Sequence, residues 1–274
     1  MAEDAYSAAV TDHYAPADLE ATFRRVLRSW GKELMRLTPD DLAPLDQFHV
    51  GGKGATVALA QLAAVAPTDR VIDLGGGFGG PARTLAAEFG CAVTVLDLTA
   101  AYCQVGTMLT ARCGLADRVT FRHGNALNAP FPEASFDLAW TQHSSMNIAD
   151  KRGLYSEIAR LLRPGGRLAL YEIMAGAAGE PPHYPIPWAR DPATSFLAPP
   201  ATIRALLAEL GFRELSWEDL TATIAATPGE APPVAATPCL HLVLGDDFRE
   251  RSRNMGRSLA EGRIALIRAV LTRP

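Results

Sequence analysis

Lysine is nearly missing from this 274-residue chain, which has only Lys32, Lys53 and Lys151. Its other basic residues are arginines, a bias of composition. Acidic residues outnumber basic ones, 30 to 26, and the net charge is −4. A nucleic-acid surface needs clustered cations, so a nucleic-acid partner is not expected. The one basic run, Arg249, Arg251, Arg253 and Arg257, reads as the solvated face of a helix. There is no C-x-x-C among Cys91, Cys103, Cys113 and Cys239, so reduced thiols in a cytoplasmic protein are expected, with no disulfide framework and no metal site. No apolar run is long enough to span a bilayer, which leaves no membrane role. The acidic opening "MAEDAYSAAVTDHY" lacks the basic and apolar regions of a signal peptide. "GGKGAT" (51–56) is not a phosphate loop, because Gly54 stands where Ser or Thr must follow the lysine and no strand precedes it. An N/D-P-P-Y signature for nucleobase methylation is also absent where "TQHS" stands.

What is present is alternation. Residues 16–66 read as helical, with Leu19, Phe23, Val26, Leu27 and Trp30 near helical spacing, a break at "TPDDLAPLDQFHVGGKG", and a resumption at "ATVALAQLAAVA". From residue 70 the period changes. "RVIDLG", "CAVTVLDL", "RVTFRHGNA", "FDLAWTQH" and "RLALYEI" read as strands, with helices over "PARTLAAEFG", "AAYCQVGTMLTARCG" and "DKRGLYSEIARLL" among them. That pattern predicts parallel βαβ units. Residues 176–200 hold seven prolines and no periodicity, and read as a long loop. "PATIRALLAELGF" reads as a helix. "RELSWEDLTATI" and "CLHLVLGD", joined by the Pro/Ala-rich 227–238, read as an antiparallel strand pair, and 247–272 reads as a helix. The expected fold is α/β: a doubly wound, mostly parallel sheet ending in an antiparallel strand pair, with helices on both faces. A helical cap covers 1–66, the ligand-binding domain covers 67–274, and 176–200 is inserted as a lid.

"VIDLGGGFGG" (71–80) decides between two ligands. Gly75, Gly77 and Gly80 satisfy G-x-G-x-x-G, the dinucleotide pattern, which alone is weak. Asp73 lies two residues before the first glycine, where a carboxylate repels a pyrophosphate but attracts an ammonium or a sulfonium. Asp97, at the end of the next strand, suits a ribose diol, a feature that both ligand classes share. Asp73 and the terminal strand pair favour S-adenosylmethionine.

With these features the sequence resembles the class I S-adenosylmethionine-dependent methyltransferases over about residues 65–245. "VIDLGGGFGG", "VTVLDLT" and "LLRPGGRLALYEI" together carry that resemblance. "FPEASFDLAWTQHSSMNI" and "NMGRSLAEGRIALIRAVL" are similar to the small-molecule branch around sarcosine/dimethylglycine N-methyltransferases and quinone C-methyltransferases. The resemblance implies that Gly75 and Gly77 pass beneath the methionine moiety, that Asp73 anchors its ammonium and that Asp97 holds the ribose. It further implies that Leu98 packs on the adenine and that Asn125 and Ala126 border it. Asn125 departs from the acid common at that position; its amide oxygen still accepts a hydrogen bond, or it caps a turn.

Carboxyl ends of parallel strands face the ligand crevice. That places His143 as a base or an orienting group, and Gln142 against the cofactor. Glu172 is a candidate for holding substrate or for pairing an arginine. Tyr184 and Trp188 are candidates for an aromatic wall or for pins that hold their loop, and His49 borders the same cavity. The implied activity is methyl transfer to a small-molecule acceptor at nitrogen, oxygen or carbon. Its rivals are C-methylation of a quinol-like ring, a non-methylating S-adenosylmethionine-binding protein and, more distantly, a nicotinamide oxidoreductase. A homodimer is left open.

Overall fold

The computed structural model describes residues 18–225, 240–245 and 247–273. The described residues open with three helices, α1 (Leu19–Ser29), α2 (Pro39–Asp46) and α3 (Gly52–Leu62). The alternating body follows: β1 (Arg70–Leu74), α4 (Gly80–Phe89), β2 (Ala92–Asp97), α5 (Ala100–Arg112), β3 (Val119–His123), β4 (Phe136–Gln142), α6 (Lys151–Leu161) and β5 (Leu162–Ala175). After the proline-rich segment come α7 (Pro200–Glu209), β6 (Arg213–Asp219), α8 (Thr221–Ala225), α9 (His241–Leu244), α10 (Phe248–Ala260) and β7 (Ile264–Thr272).

The seven strands among the described residues form one sheet in the order β3-β2-β1-β4-β5-β7-β6. The ladders from β3 to β5 are parallel, and β7 runs antiparallel to both of its neighbours, β5 and β6. The central strand β4 is buried along its whole length, as expected of a strand covered on both faces. The strand order reverses between β1 and β4, which opens a crevice at their carboxyl ends.

Three segments differ from the sequence expectation. The break after the first helix contains α2, set by a capping box in which Thr38 and Asp41 exchange side-chain and backbone bonds, with Pro39 in the first turn. "CLHLVLGD" is not the partner strand; its described part holds the short helix α9. The joining segment 227–238 lies outside the described residues. The expected tail helix stops at Ala260, Gly262 turns the chain at φ 67°, and "IALIRAVLT" forms β7. The antiparallel end pair therefore exists, but it is built from β6 and β7.

The glycine-turn phenylalanine, Phe78, locks the first helices onto the body. Its ring is fully buried and meets Phe23 at 5.0 Å, Phe48 at 5.2 Å and Tyr102 at 4.2 Å. A second clamp is ionic. Arg83 on α4 donates to Asp46 at the end of α2 at 2.6 Å, with both side chains essentially without solvent contact.

Candidate active site

A cavity of about 490 Å³ lies along the carboxyl ends of β1, β2 and β4 and reaches under α10 and the proline-rich segment. Of the residues singled out in the sequence, it brings together His49, Asp73, Gly75, Gly77, Asp97, Leu98, Asn125, Ala126, Gln142, His143 and Trp188. Glu172 and Tyr184 do not line it.

At one end stand the two acids. Asp97 accepts from Gly77 N–H at 2.9 Å and from Thr99 N–H at 2.8 Å, so the turn is organised around its carboxylate. Burial raises its pKa, and those two bonds oppose the rise. Asp73 is 1% exposed, and its Oδ2 has no hydrogen-bond partner. Burial, with Asp97 adding like charge, pushes Asp73 up to about 8. An orphan carboxylate of this kind fits a bound cation. The glycines have separate reasons. Gly75 has φ 74°, and a Cβ there would stand 2.6 Å from Ser144 Cβ, so the β1 and β4 loops touch only because it is glycine. A Cβ on Gly76 would collide with Asp73 Oδ2 at 2.5 Å. Asn125 Oδ1 accepts from Leu127 N–H at 2.9 Å, so it does hold a turn while lining the cavity.

At the other end stand two histidines. His143 follows β4 in the left-handed region at φ 52°, a conformation held at a cost of order 1 kcal/mol or more. Its Nδ1 lies 3.0 Å from the Tyr171 carbonyl oxygen, which only accepts, so Nδ1 carries the proton and Nε2 keeps its lone pair. That Nε2 is buried without a partner. Burial and the nearby His49 depress its pKa to about 3. His49 lies 6.0 Å from it ring to ring, donates from Nε2 to Gly52 O at 2.9 Å, and is lowered by burial to about 4. Both imidazoles are neutral at physiological pH. Gln142 Oε1 accepts from the donor-only Trp140 indole N–H at 3.0 Å, which fixes the amide orientation and leaves Nε2 without a partner.

Two residues expected at the substrate are placed elsewhere. Glu172 is fully buried beneath the β4 loop, where its carboxylate accepts from Ser144 and Ser145 N–H, each 3.2 Å from Oε2. Lys151 Nζ donates to Ser145 O at 2.6 Å and Ile148 O at 2.5 Å from the other side of that loop. Glu172 thus holds the loop that carries His143, and among the described residues no arginine pairs with it. Tyr184 is half-buried against the core, with a hydroxyl bond to Ser195. Trp188 lines the cavity, and its indole N–H donates to Ser195 Oγ at 3.0 Å. Sequence reading missed Met146, Phe248 and Met255, which also line the cavity.

Residues 72–170 of this chain match the family model described as a methyltransferase domain. The glycine/sarcosine/dimethylglycine N-methyltransferase of Actinopolyspora halophila is 28% identical over 80% of this chain and 38% of its own length. Eight curated relatives are all methyltransferases, and the chain spans 28% to 60% of their lengths. Among solved structures, a geranyl diphosphate methyltransferase in complex with S-adenosylmethionine shares the fold at TM-score 0.67 and 21% identity, covering 81% of this chain and 85% of that one. The [4+2]-cyclase SpnF shares it at TM-score 0.65 and 19% identity, covering 81% and 80%. That geranyl diphosphate methyltransferase is in complex with S-adenosylmethionine, and the unpartnered Asp73 Oδ2, the glycine turn and Asp97 of this chain fit such a molecule.

Proposed function

We propose that this chain transfers a methyl group from S-adenosylmethionine to a small-molecule acceptor. The observation that carries the reading is one cavity joining the Asp73–Asp97 end to the unpartnered Nε2 of His143. S-adenosylmethionine supplies an electrophilic methyl group on a cationic sulfur. In this reading Asp73 faces the ammonium, Asp97 takes the ribose hydroxyls, Leu98 and Ala126 flank the adenine, and Asn125 and Gln142 complete the polar contacts. Gly75 and Gly77 let the backbone pass close beneath. His143 takes a proton from an acceptor that arrives protonated, and orients one that does not. His49 and Trp188 border the acceptor. Asp46 and residues 48–52 of the cap, with Pro187 and Trp188 of the 176–200 segment, border the acceptor end and exclude water. Glu172 serves as a positioning residue through the Ser144–Ser145 backbone.

A cytoplasmic setting is part of the proposal, supported by free thiols at Cys91, Cys103 and Cys113. Among the described residues, no helix is long and apolar enough to cross a membrane. A second reading, a protein that binds S-adenosylmethionine without transferring its methyl, is favoured by one finding: the same fold carries the cyclase SpnF. Calorimetry tests the cofactor half. Micromolar binding of S-adenosylmethionine and S-adenosylhomocysteine, about −8 kcal/mol, is expected, with no heat from NAD. Binding of NAD alone would overturn the proposal.

A further inference from the structure

The polar and charged groups along the cavity are unevenly distributed. Asp46, Asp73, Asp97 and Asp150 line it, and no lysine or arginine does. Residues 1–17, 226–239, 246 and 274, outside the described part, contain no lysine or arginine in the sequence. The nearest buried cations are committed. Lys151 holds two carbonyls of the β4 loop, and Arg83 holds Asp46 and Thr110. The N-terminus of α6 at the cavity edge is capped by the Asp150 carboxylate, which accepts from Gly153 N–H at 2.7 Å. The two histidines are neutral. An anionic acceptor would therefore meet carboxylates and find no counter-charge. The remaining wall is apolar: Val50, Met146, Ile173, Trp188, Phe248 and Met255.

Gln142 and His143, neighbours in sequence that both line the cavity, each carry a buried side-chain nitrogen without a partner. His143 Nε2 is an acceptor without a donor, and Gln142 Nε2 is a donor without an acceptor. A hydroxyl group is both donor and acceptor, so it can serve either atom.

We propose that the methyl acceptor is an uncharged, largely apolar molecule that presents a hydroxyl to His143 and Gln142, and that carboxylated and phosphorylated acceptors are rejected. This rests on the methyltransferase reading above and narrows it. The acceptor oxygen bonds the methyl carbon while the carbon–sulfur bond breaks with its electron pair to sulfur. The hydroxyl proton passes to His143 Nε2 and then to solvent. One positive charge leaves the sulfonium as one appears on the imidazole, so the net charge of the cavity is unchanged during the step. The acceptors named for two similar proteins, sarcosine and geranyl diphosphate, carry a carboxylate and a diphosphate. This cavity has no cation to receive either.

The test uses the full chain saturated with S-adenosylhomocysteine, whose own binding is measured first. Failure of that first step would overturn the methyltransferase reading and is distinguishable from failure of the acceptor class. Then 1-naphthol, 1-naphthoate, 1-naphthyl phosphate and 1-naphthylmethylammonium are titrated at pH 7.5. Burying an unpaired charge in an apolar site is costly, so 1-naphthol is expected to bind about tenfold or more tighter than each charged analogue. Met255→Arg should reverse or abolish the preference over the two anions, while Met255→Gln should keep it. Equal or tighter binding of any charged analogue to the unsubstituted protein would overturn the proposal. So would absence of 1-naphthol binding at millimolar concentration, or a preference unmoved by Met255→Arg.

Discussion

Replacing Asp73 by asparagine should stabilise the free protein and weaken its cofactor binding, two effects of opposite sign from one carboxylate. Burial raises Asp73 from 3.8 to about 8, equivalent to at most about 5–6 kcal/mol at 1.36 kcal/mol per pH unit. The folded-state pKa is raised, so the folded protein holds the proton more tightly. The contribution is fully present below 3.8, declines as pH rises, and is lost through about 8. At pH 8.5 the free protein bears nearly the whole cost of the buried charge. Asparagine has nearly the same shape but cannot ionise. Its unpaired amide returns about 1–3 kcal/mol of that gain, and water reaching an open cavity reduces the rest. A net gain of about 2 kcal/mol is expected at pH 8.5, a rise in Tm of about 4–8 °C for a chain of this size, shrinking towards pH 5. In calorimetry at pH 6.5 the α-amino group of the cofactor is still cationic, its usual pKa being about 7.7–8.0. The protonated Asp73 must then ionise to face it, so binding should release about one proton per ligand, read from the buffer dependence of the heat. Asp73→Asn should release none and bind more weakly. A variant no more stable than the parent at pH 8.5, binding with unchanged affinity and unchanged buffer dependence, would refute the reasoning.

Asp97→Ala should weaken S-adenosylmethionine by up to about 1.5–3 kcal/mol per charge-assisted bond lost, measured by calorimetry. It also frees the Gly77 and Thr99 N–H groups. His143→Ala should leave cofactor affinity nearly unchanged and lower kcat by about 10²–10⁴ for a hydroxyl acceptor. With the imidazole held near 3, the parent enzyme should show no acid limb from His143 between pH 8 and about pH 4, and a limb near 6.5 would contradict the buried, neutral ring. The same depressed pKa stabilises the fold above 6.5, and that contribution is lost as pH falls towards 3. Arg83→Met strands the Asp46 carboxylate in the interior and should cost about 3–5 kcal/mol in denaturant unfolding; Asp46→Asn with Arg83→Met should recover part of it.

The parallel half of the sheet was legible because its signals are local. β1 and β3 are short runs followed by glycine, and α4 and α6 open on a proline or a cap, Pro81 and Asp150. "IALIRAVLT" was not legible. It is buried on both faces between β5 and β6, so its apolar residues satisfy helical spacing as well as strand spacing. Gly262 was the signal that should have divided it from α10. The Asp73, Asp97 and glycine positions were readable because a strand, a turn and a helix start carry them within one short stretch. Glu172 was not, because whether a strand-end acid faces a cavity or a loop depends on where the β4 loop folds back. The Arg83–Asp46 pair and the Met255 and Phe248 walls come from distant elements packed over the crevice, and no local pattern announces them.

The most direct measurement of the central claim incubates the full chain with methyl-deuterated S-adenosylmethionine and a panel of small acceptors that includes neutral alcohols and phenols, with mass detection of both products. The account predicts S-adenosylhomocysteine formed in step with an acceptor that has gained one deuterated methyl group, and loss of that product in His143→Ala. Tight binding of S-adenosylmethionine with no labelled product from any acceptor would contradict it.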